Sequence, residues 1–171
     1  MTEVEKPVTA AARPPIRVLC VDDQASVIDA LRVLIEAAAE FVCVGEERCG
    51  EDAIDAAGRL RPDLVLIDFR MPGIGGLEAA RRLLEQHPRM LVVLMSAEPD
   101  LLPAVRDSGR LQFAGKSELT VTALRRCWQR HERAGLAQNG PVAQGLGDQV
   151  GPRTGVDLRH RVAHVGSDRV M

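Results

Sequence analysis

Residues 18–23 read Val-Leu-Cys-Val-Asp-Asp, an apolar run that ends in two acidic residues. Two later apolar runs end in a similar way, since residues 64–67 (Leu-Val-Leu-Ile) precede Asp68 and residues 91–95 (Leu-Val-Val-Leu-Met) precede Ser96. Short apolar runs bounded by turn residues favour buried strands, and the amphipathic stretches between them favour helices. This alternation predicts an α/β fold, a parallel sheet with helices on both faces.

The same patterns divide the rest of the chain into strands and helices. The predicted strands are residues 16–21, 41–45, 63–68, 90–95 and 111–114. The predicted helices are residues 24–39, 51–60, 75–87, a short one at 103–108 and a last one at 118–132. Either Asp22 or Asp23 is expected to cap the first helix, because acidic side chains accept hydrogen bonds from free backbone N–H groups there.

Polar residues that follow the strands converge on one edge of the predicted sheet. The carboxyl ends of parallel strands share one edge, where ligands bind. That edge should hold Asp22, Asp23, Asp68 and Ser96, and Lys116 just beyond the last strand. Three carboxylates form an all-oxygen site that suits Mg²⁺, and they repel one another without a cation. Fixed charge and positioning of this kind are what phosphoryl transfer requires.

Composition limits the domain organisation and the class of protein. The 171 residues are 46% apolar and 27% charged, which is typical of a globular chain. We expect a disordered leader over residues 1–15, one domain over residues 16–132, and a disordered, glycine-rich tail over residues 133–171. The net charge of −2 argues against non-specific nucleic-acid binding, and no apolar run predicts a membrane span or signal peptide. A cytoplasmic location is expected.

The four cysteines, Cys20, Cys43, Cys49 and Cys127, lack the paired spacing of a metal or dithiol motif. The first two fall in predicted strands, where a thiol behaves as a small apolar side chain. We therefore expect reduced thiols without a redox role, which would require two of them to meet in space.

Four motifs in order resemble those of a response-regulator receiver domain, and the resemblance covers residues 16–132. They are V-L-C-V-D-D (18–23), L-V-L-I-D-F-R-M-P-G (64–73), M-S-A (95–97), and Phe113 with Lys116. The resemblance implies a flavodoxin-like, doubly wound (βα)5 fold with strand order 2-1-3-4-5. It also implies a protein of two-component signal transduction.

The resemblance assigns a role to each polar residue at the sheet edge. It makes Asp68 the phosphoacceptor, a carboxylate that receives a phosphoryl group from a phosphohistidine. Asp23, Asp68 and the backbone carbonyl of Arg70 would bind Mg²⁺ directly, and Asp22 would bind it through water. Lys116 would pair with the phosphoryl oxygens.

Two further residues are implied to connect phosphorylation with signalling. Ser96 would hydrogen-bond the attached phosphoryl group, and Phe113 would turn inward as Ser96 moves. The implied partners are a sensor histidine kinase or phosphotransfer protein and an unknown downstream protein, with no nucleic acid and no membrane. We expect a monomer or a phosphorylation-dependent dimer that assists its own phosphorylation and dephosphorylation but is not an enzyme in the usual sense, and we expect no organic cofactor.

Ser117 directly follows Lys116, as in the receiver branch usually joined to a helix-turn-helix domain. No such domain is evident here, so a stand-alone receiver is expected. Other functions remain open: an aspartate-nucleophile phosphohydrolase, an unphosphorylated scaffold, or a transcriptional regulator without a recognisable DNA-binding domain. The phosphohydrolases usually carry D-x-D, whereas here Arg70 stands two residues after Asp68.

Taken singly, each site residue also has a plain structural interpretation. Asp68 could be a loop acid, Ser96 a turn hydroxyl, Lys116 a solvated surface charge and Phe113 a core residue.

Overall fold

A five-stranded parallel sheet forms the centre of the molecule, of which a computed structural model describes residues 13–98 and 109–138. The strands are β1 (Ile16–Val21), β2 (Phe41–Glu47), β3 (Leu64–Asp68), β4 (Leu91–Ser96) and β5 (Leu111–Gly115). Their order is β2-β1-β3-β4-β5, and every neighbouring pair is parallel. The predicted flavodoxin-like topology is therefore confirmed.

Helices pack on both faces of this sheet. They are α1 (Ala25–Glu36), α2 (Gly50–Leu60), α3 (Gly75–Gln86) and α4 (Val121–Gln138), and a 3₁₀ turn (Lys116–Glu118) precedes the last. Helices α1 and α4 contribute to one apolar cluster, and α2 and α3 contribute to the other. Strand β1 serves both clusters: Val18 and Cys20 point to α1 and α4, whereas Leu19 and Val21 point to α2 and α3. This alternation follows from the two-residue period of a strand.

Small residues let α2 and α3 approach each other closely. Their buried side chains are mostly alanine, namely Ala53, Ala56, Ala57, Ala79 and Ala80. A Cβ atom added to Gly50 would lie 2.9 Å from the Cβ of Ala79. The backbones of α2 and α3 therefore lie close together where these small residues meet.

The start of α1 differs from the prediction. Neither Asp22 nor Asp23 caps this helix, since Gln24 occupies the N-cap position and its side chain makes no capping hydrogen bond. Asp22 Oδ1 accepts a hydrogen bond from the backbone N–H of Gln24 at 3.1 Å, one residue before the helix. The capping prediction was wrong because this acid serves the sheet edge instead.

The last helix begins and ends later than predicted. Residues 116–118 form the 3₁₀ turn, and α4 continues to Gln138 instead of ending at residue 132. Gly135 lies within it, although glycine costs about 1 kcal/mol relative to alanine in a helix. The predicted helix at 103–108, residues 1–12 of the predicted leader, and residues 139–171 of the predicted tail lie outside the described residues.

Candidate functional site

Three acidic side chains meet where β1 and β3 end. Asp22 and Asp23 directly follow β1, and Asp68 is the last residue of β3. These strands are neighbours in register, with Val21 opposite Ile67, so the acids lie side by side. One carboxylate oxygen from each acid lies within 4.8 Å of the others. Asp22 is 0% exposed and Asp68 is 4% exposed, while Asp23 faces solvent.

Lys116 places its ammonium group between two of these carboxylates. Its Nζ lies 2.7 Å from Asp22 Oδ2 and 3.0 Å from Asp68 Oδ1. The lysine directly follows β5, two strands away from β3, so its side chain reaches past the end of β4. Sequence order alone did not predict this double ion pair.

The pKa values of Asp68 and Lys116 are both raised, but for different reasons. Burial raises the pKa of Asp68 above its usual range and Asp22 adds to the rise, although Lys116 and the backbone N–H of Arg70 act against it. Burial alone would lower the pKa of Lys116, but hydrogen bonds and charge from Asp22 and Asp68 outweigh it, and the pKa is raised. The lysine therefore stays charged, while the ionised form of Asp68 is the costly one.

The donor set fits a divalent cation. Three carboxylates and one ammonium carry a formal charge of −2, and every candidate ligand among them is an oxygen. Oxygen ligands and a small number of carboxylates are what Mg²⁺ prefers. Asp22, Asp23 and Asp68 could hold such an ion.

The loop that follows β3 and the first residues of α3 are hydrogen-bonded and packed closely around Asp68. The backbone N–H of Phe69 donates to Met95 O at 2.7 Å, and that of Gly76 donates to Phe69 O at 3.2 Å. A Cβ atom on Gly76 would lie 1.8 Å from Asp68 O, so only glycine fits there. The backbone N–H of Arg70 donates to the Asp68 carboxylate. Backbone geometry in this loop therefore governs the surroundings of the acid.

Ser96 lies at the same edge, but its hydroxyl is engaged elsewhere. Ser96 Oγ accepts a hydrogen bond from Glu98 N at 3.0 Å and lies 3.0 Å from Glu98 O. Within the described residues its hydroxyl bonds to Glu98, and none of its hydrogen bonds goes to Asp68. Phe113 lies on β5 opposite Leu94, half-buried against the cluster of α2 and α3.

Glu98 is a site residue that the sequence analysis missed. Its carboxylate lies 3.7 Å from the guanidinium of Arg70, and both side chains are exposed at the mouth of the site. The two-residue spacing from Ser96 to Glu98 is typical of a turn closed by a serine hydroxyl, and that spacing was the available signal.

Cys20 and Cys43, which are predicted to be reduced thiols without a redox role, lie in hydrogen-bond contact. A hydrogen bond to Cys20 lowers the pKa of Cys43 to about 7, and the same contact, with burial, raises the pKa of Cys20. Cys49 caps α2, where its sulfur accepts a hydrogen bond from the backbone N–H of Asp52 at 3.5 Å. In the described part of the chain the cysteines are free thiols.

Among the described helices, none has the length and apolar character that crossing a membrane would require.

Comparison with known proteins identifies a family model and relatives that match most of the described domain. The family model described as the response regulator receiver domain matches residues 18–113, more than half of the chain. The response regulator GacA of Pseudomonas aeruginosa is 42% identical over 101 residues, which cover 58% of this chain and 45% of GacA. The response regulator UvrY of Escherichia coli K12 is 33% identical over 136 residues, which cover 75% of this chain and 62% of UvrY. The chain thus spans less than half of GacA and about three fifths of UvrY.

Solved structures match the fold over nearly their whole length. A two-component transcriptional regulator AraC from Clostridium phytofermentans superposes with a TM-score of 0.59 at 28% identity, covering 72% of this chain and 98% of that one. The signal receiver domain of the putative response regulator NarL from Mycobacterium tuberculosis has a TM-score of 0.57 at 24% identity, covering 68% and 98%. With its strand order, its acidic edge and the matched family model, this chain belongs to the response regulator receiver domains of two-component systems.

Proposed function

We propose that this domain accepts a phosphoryl group on Asp68 from a phosphohistidine, with Mg²⁺ bound at the acidic edge. One Asp68 carboxylate oxygen attacks the phosphorus, the phosphorus–nitrogen bond breaks, and the histidine ring keeps the electron pair and takes up a proton. The product is an acyl phosphate on Asp68 and an unmodified histidine on the donor. The position of Lys116 Nζ, 3.0 Å from Asp68 Oδ1, is the observation that carries this proposal.

The charges around Asp68 support the proposed chemistry. Lys116 is held by Asp22 and Asp68, so its ammonium stands beside the atom to be phosphorylated. An incoming phosphoryl group adds negative charge, which a fixed cation stabilises without reorganisation. The metal would be held by Asp22, Asp23, Asp68 and the carbonyl of Arg70, and when bound it neutralises phosphoryl oxygens.

The polar groups on β4 and β5 support a switch that follows phosphorylation. Ser96 now exchanges hydrogen bonds with Glu98, and a phosphoryl oxygen on Asp68 would offer its hydroxyl a charged acceptor. Phe113 is half-buried on β5, two residues before the strand ends, so part of its ring is still exposed to solvent. We infer that these two residues move together and alter a protein-binding surface near α4.

The proposed partners follow from this chemistry. A sensor histidine kinase or a phosphotransfer protein supplies the phosphohistidine, and a downstream protein recognises the phosphorylated form. We infer that the chain does not bind nucleic acid non-specifically, because it carries a net charge of −2. GacA and UvrY are named response regulators, and YdfI of Bacillus subtilis is named a transcriptional regulatory protein.

Phosphate-affinity electrophoresis with acetyl phosphate tests the proposal. Wild-type protein should shift with Mg²⁺ and remain unshifted with EDTA, and Asp68→Asn should remain unshifted in both. Asp55→Asn is the matched control, since Asp55 is an exposed acid on α2, and it should shift like wild type. An undiminished shift in Asp68→Asn, or an unlabelled wild type, would refute the assignment. Steady release of phosphate over many turnovers would instead favour a phosphohydrolase.

A further inference from the structure

The first turn of α2 is hydrogen-bonded to the loop that follows β3. Glu51 Oε1 accepts a hydrogen bond from the backbone N–H of Ile74 at 3.1 Å, across 23 residues of sequence. A Cβ atom on Gly73 would lie 2.6 Å from Glu51 Oε1 and 2.8 Å from Oε2. Gly73 also has a φ of +79°, which favours glycine. The carboxylate of Glu51 therefore rests directly on this turn of the backbone.

A second contact fixes the same loop beside the hydrogen bond. A Cβ atom on Gly50 would lie 2.8 Å from Ile74 Cγ1, so the isoleucine side chain packs against the helix backbone. Ile74 is thus held through its N–H by Glu51 and through its side chain at Gly50. The loop has a defined position relative to α2.

That position reaches the acidic edge through a short stretch of chain. Residues 70–73 join Ile74 to Asp68 and Phe69, and Met71 among them is buried. At the near end, the backbone N–H of Arg70 donates to the Asp68 carboxylate. A shift of the loop at Ile74 therefore changes the orientation of the Arg70 peptide groups against Asp68.

We propose that Glu51 is a positioning residue that sets the backbone of the loop and hence the oxygen ligands offered to Mg²⁺. This inference rests on the proposed function, because it assigns the Arg70 carbonyl to the metal. Glu51 is not among the acids that cluster at the metal site, so it would act through the loop. The negative charge of Glu51 in the first turn of α2 also interacts favourably with the helix dipole. Asp52 in the same turn makes the same kind of interaction.

Three substitutions of Glu51 separate the effect of its hydrogen bond with Ile74 from the effect of its negative charge. Glu51→Gln keeps an oxygen at the same distance and loses the charge. Glu51→Asp keeps the charge and is one methylene too short to accept from Ile74. Glu51→Ala loses both, and Asp52→Ala is the matched control for a lost charge in this turn. Outer-shell partners of metal ligands typically contribute about 10–100-fold to affinity.

Calorimetric titration of each unphosphorylated variant with Mg²⁺ reads out the effect without phosphoryl transfer. Glu51→Asp and Glu51→Ala should weaken Mg²⁺ binding about tenfold. Glu51→Gln and Asp52→Ala should bind within about twofold of wild type, because the contact with Ile74 survives in both. The Mg²⁺ concentration that half-saturates labelling by acetyl phosphate should rise in Glu51→Asp and Glu51→Ala.

The Mg²⁺ affinities of the Glu51 variants can either support or overturn the positioning role. Equal Mg²⁺ affinity in Glu51→Asp and wild type would overturn the positioning role, and so would a Glu51→Gln protein as weak as Glu51→Asp, since charge would then be the cause. If Glu51→Ala does not fold, the comparison of Gln with Asp still decides. A wild type that binds Mg²⁺ but is never labelled refutes the proposed function alone.

Discussion

Replacing Asp68 by asparagine should stabilise the protein when Mg²⁺ is absent. Removing a buried carboxylate from water costs several kcal/mol, and repulsion from an Asp22 oxygen within 4.8 Å adds about 3.5 kcal/mol at an effective dielectric constant of about 20. The attraction of Lys116 at 3.0 Å offsets about 5.5 kcal/mol of this. The balance opposes the ionised form by about 1–3 kcal/mol.

Urea and thermal unfolding in EDTA at pH 7.5, followed by circular dichroism, measure this balance. Each kcal/mol should move the melting temperature by about 3–4 °C in a domain of this size, so Asp68→Asn should melt about 3–12 °C above wild type. Asp55→Asn, an exposed acid on α2, should change stability by no more than about 0.5 kcal/mol.

The pH dependence of the difference has a defined sign. The folded-state pKa of Asp68 is raised, so the folded protein favours the protonated acid, and that stability is lost as the pH rises through the folded pKa. The advantage of Asp68→Asn should therefore shrink as the pH falls toward about 4, the pKa of an unfolded carboxyl. Saturating Mg²⁺ should also shrink it, by about 2.7 kcal/mol at 100 times the dissociation constant. A variant that is less stable than wild type in EDTA, or a gap that widens on acidification, would refute the reasoning.

Two further substitutions test packing and charge at the sheet edge, and a third tests helix α2. Lys116→Met should lower the free energy of unfolding by about 3–5 kcal/mol in EDTA, because Asp22 is left as a buried charge without its partner, and urea denaturation measures this. Gly76→Ala should abolish labelling by acetyl phosphate, since its Cβ would lie 1.8 Å from Asp68 O; a labelled variant would contradict the fit. Gly58 lies in the last turn of α2, where an added Cβ meets no atom within 4 Å, so Gly58→Ala should raise stability by about 0.5–1 kcal/mol, seen as a higher urea midpoint.

The strands and the acidic edge could be predicted because both follow from short-range patterns. Short apolar runs such as residues 64–67 form buried strands in a parallel sheet. The residue that follows each run then lies at the carboxyl edge of the sheet. The positions of Asp22 and Asp68 followed from that geometry. Their double contact with Lys116 did not, because it depends on a side chain that reaches past the end of β4.

Contacts between distant segments account for most of what the sequence analysis missed. The hydrogen bond from Ile74 to Glu51 joins a loop and a helix that no periodicity connects. The extension of α4 past residue 132 depends on tertiary contact as well as propensity, since Ala134 packs against Gly109, where a Cβ would lie 2.9 Å away. Cys49 caps a helix although a thiol is an unusual cap. In each instance the partner residue decides the structure.

The lysine that follows β5 has a thermodynamic consequence for recognition. Lys116 opens the 3₁₀ turn that leads into α4, and its ammonium is shared by Asp22 and Asp68 on the far side of β4. Any protein that binds this turn and displaces the lysine changes the free energy of placing charge on Asp68. By reciprocity, phosphorylation of Asp68 would change the affinity for that protein by the same factor. A single coupling free energy would thus describe both how this protein senses phosphorylation of Asp68 and how its binding alters the charge state of Asp68.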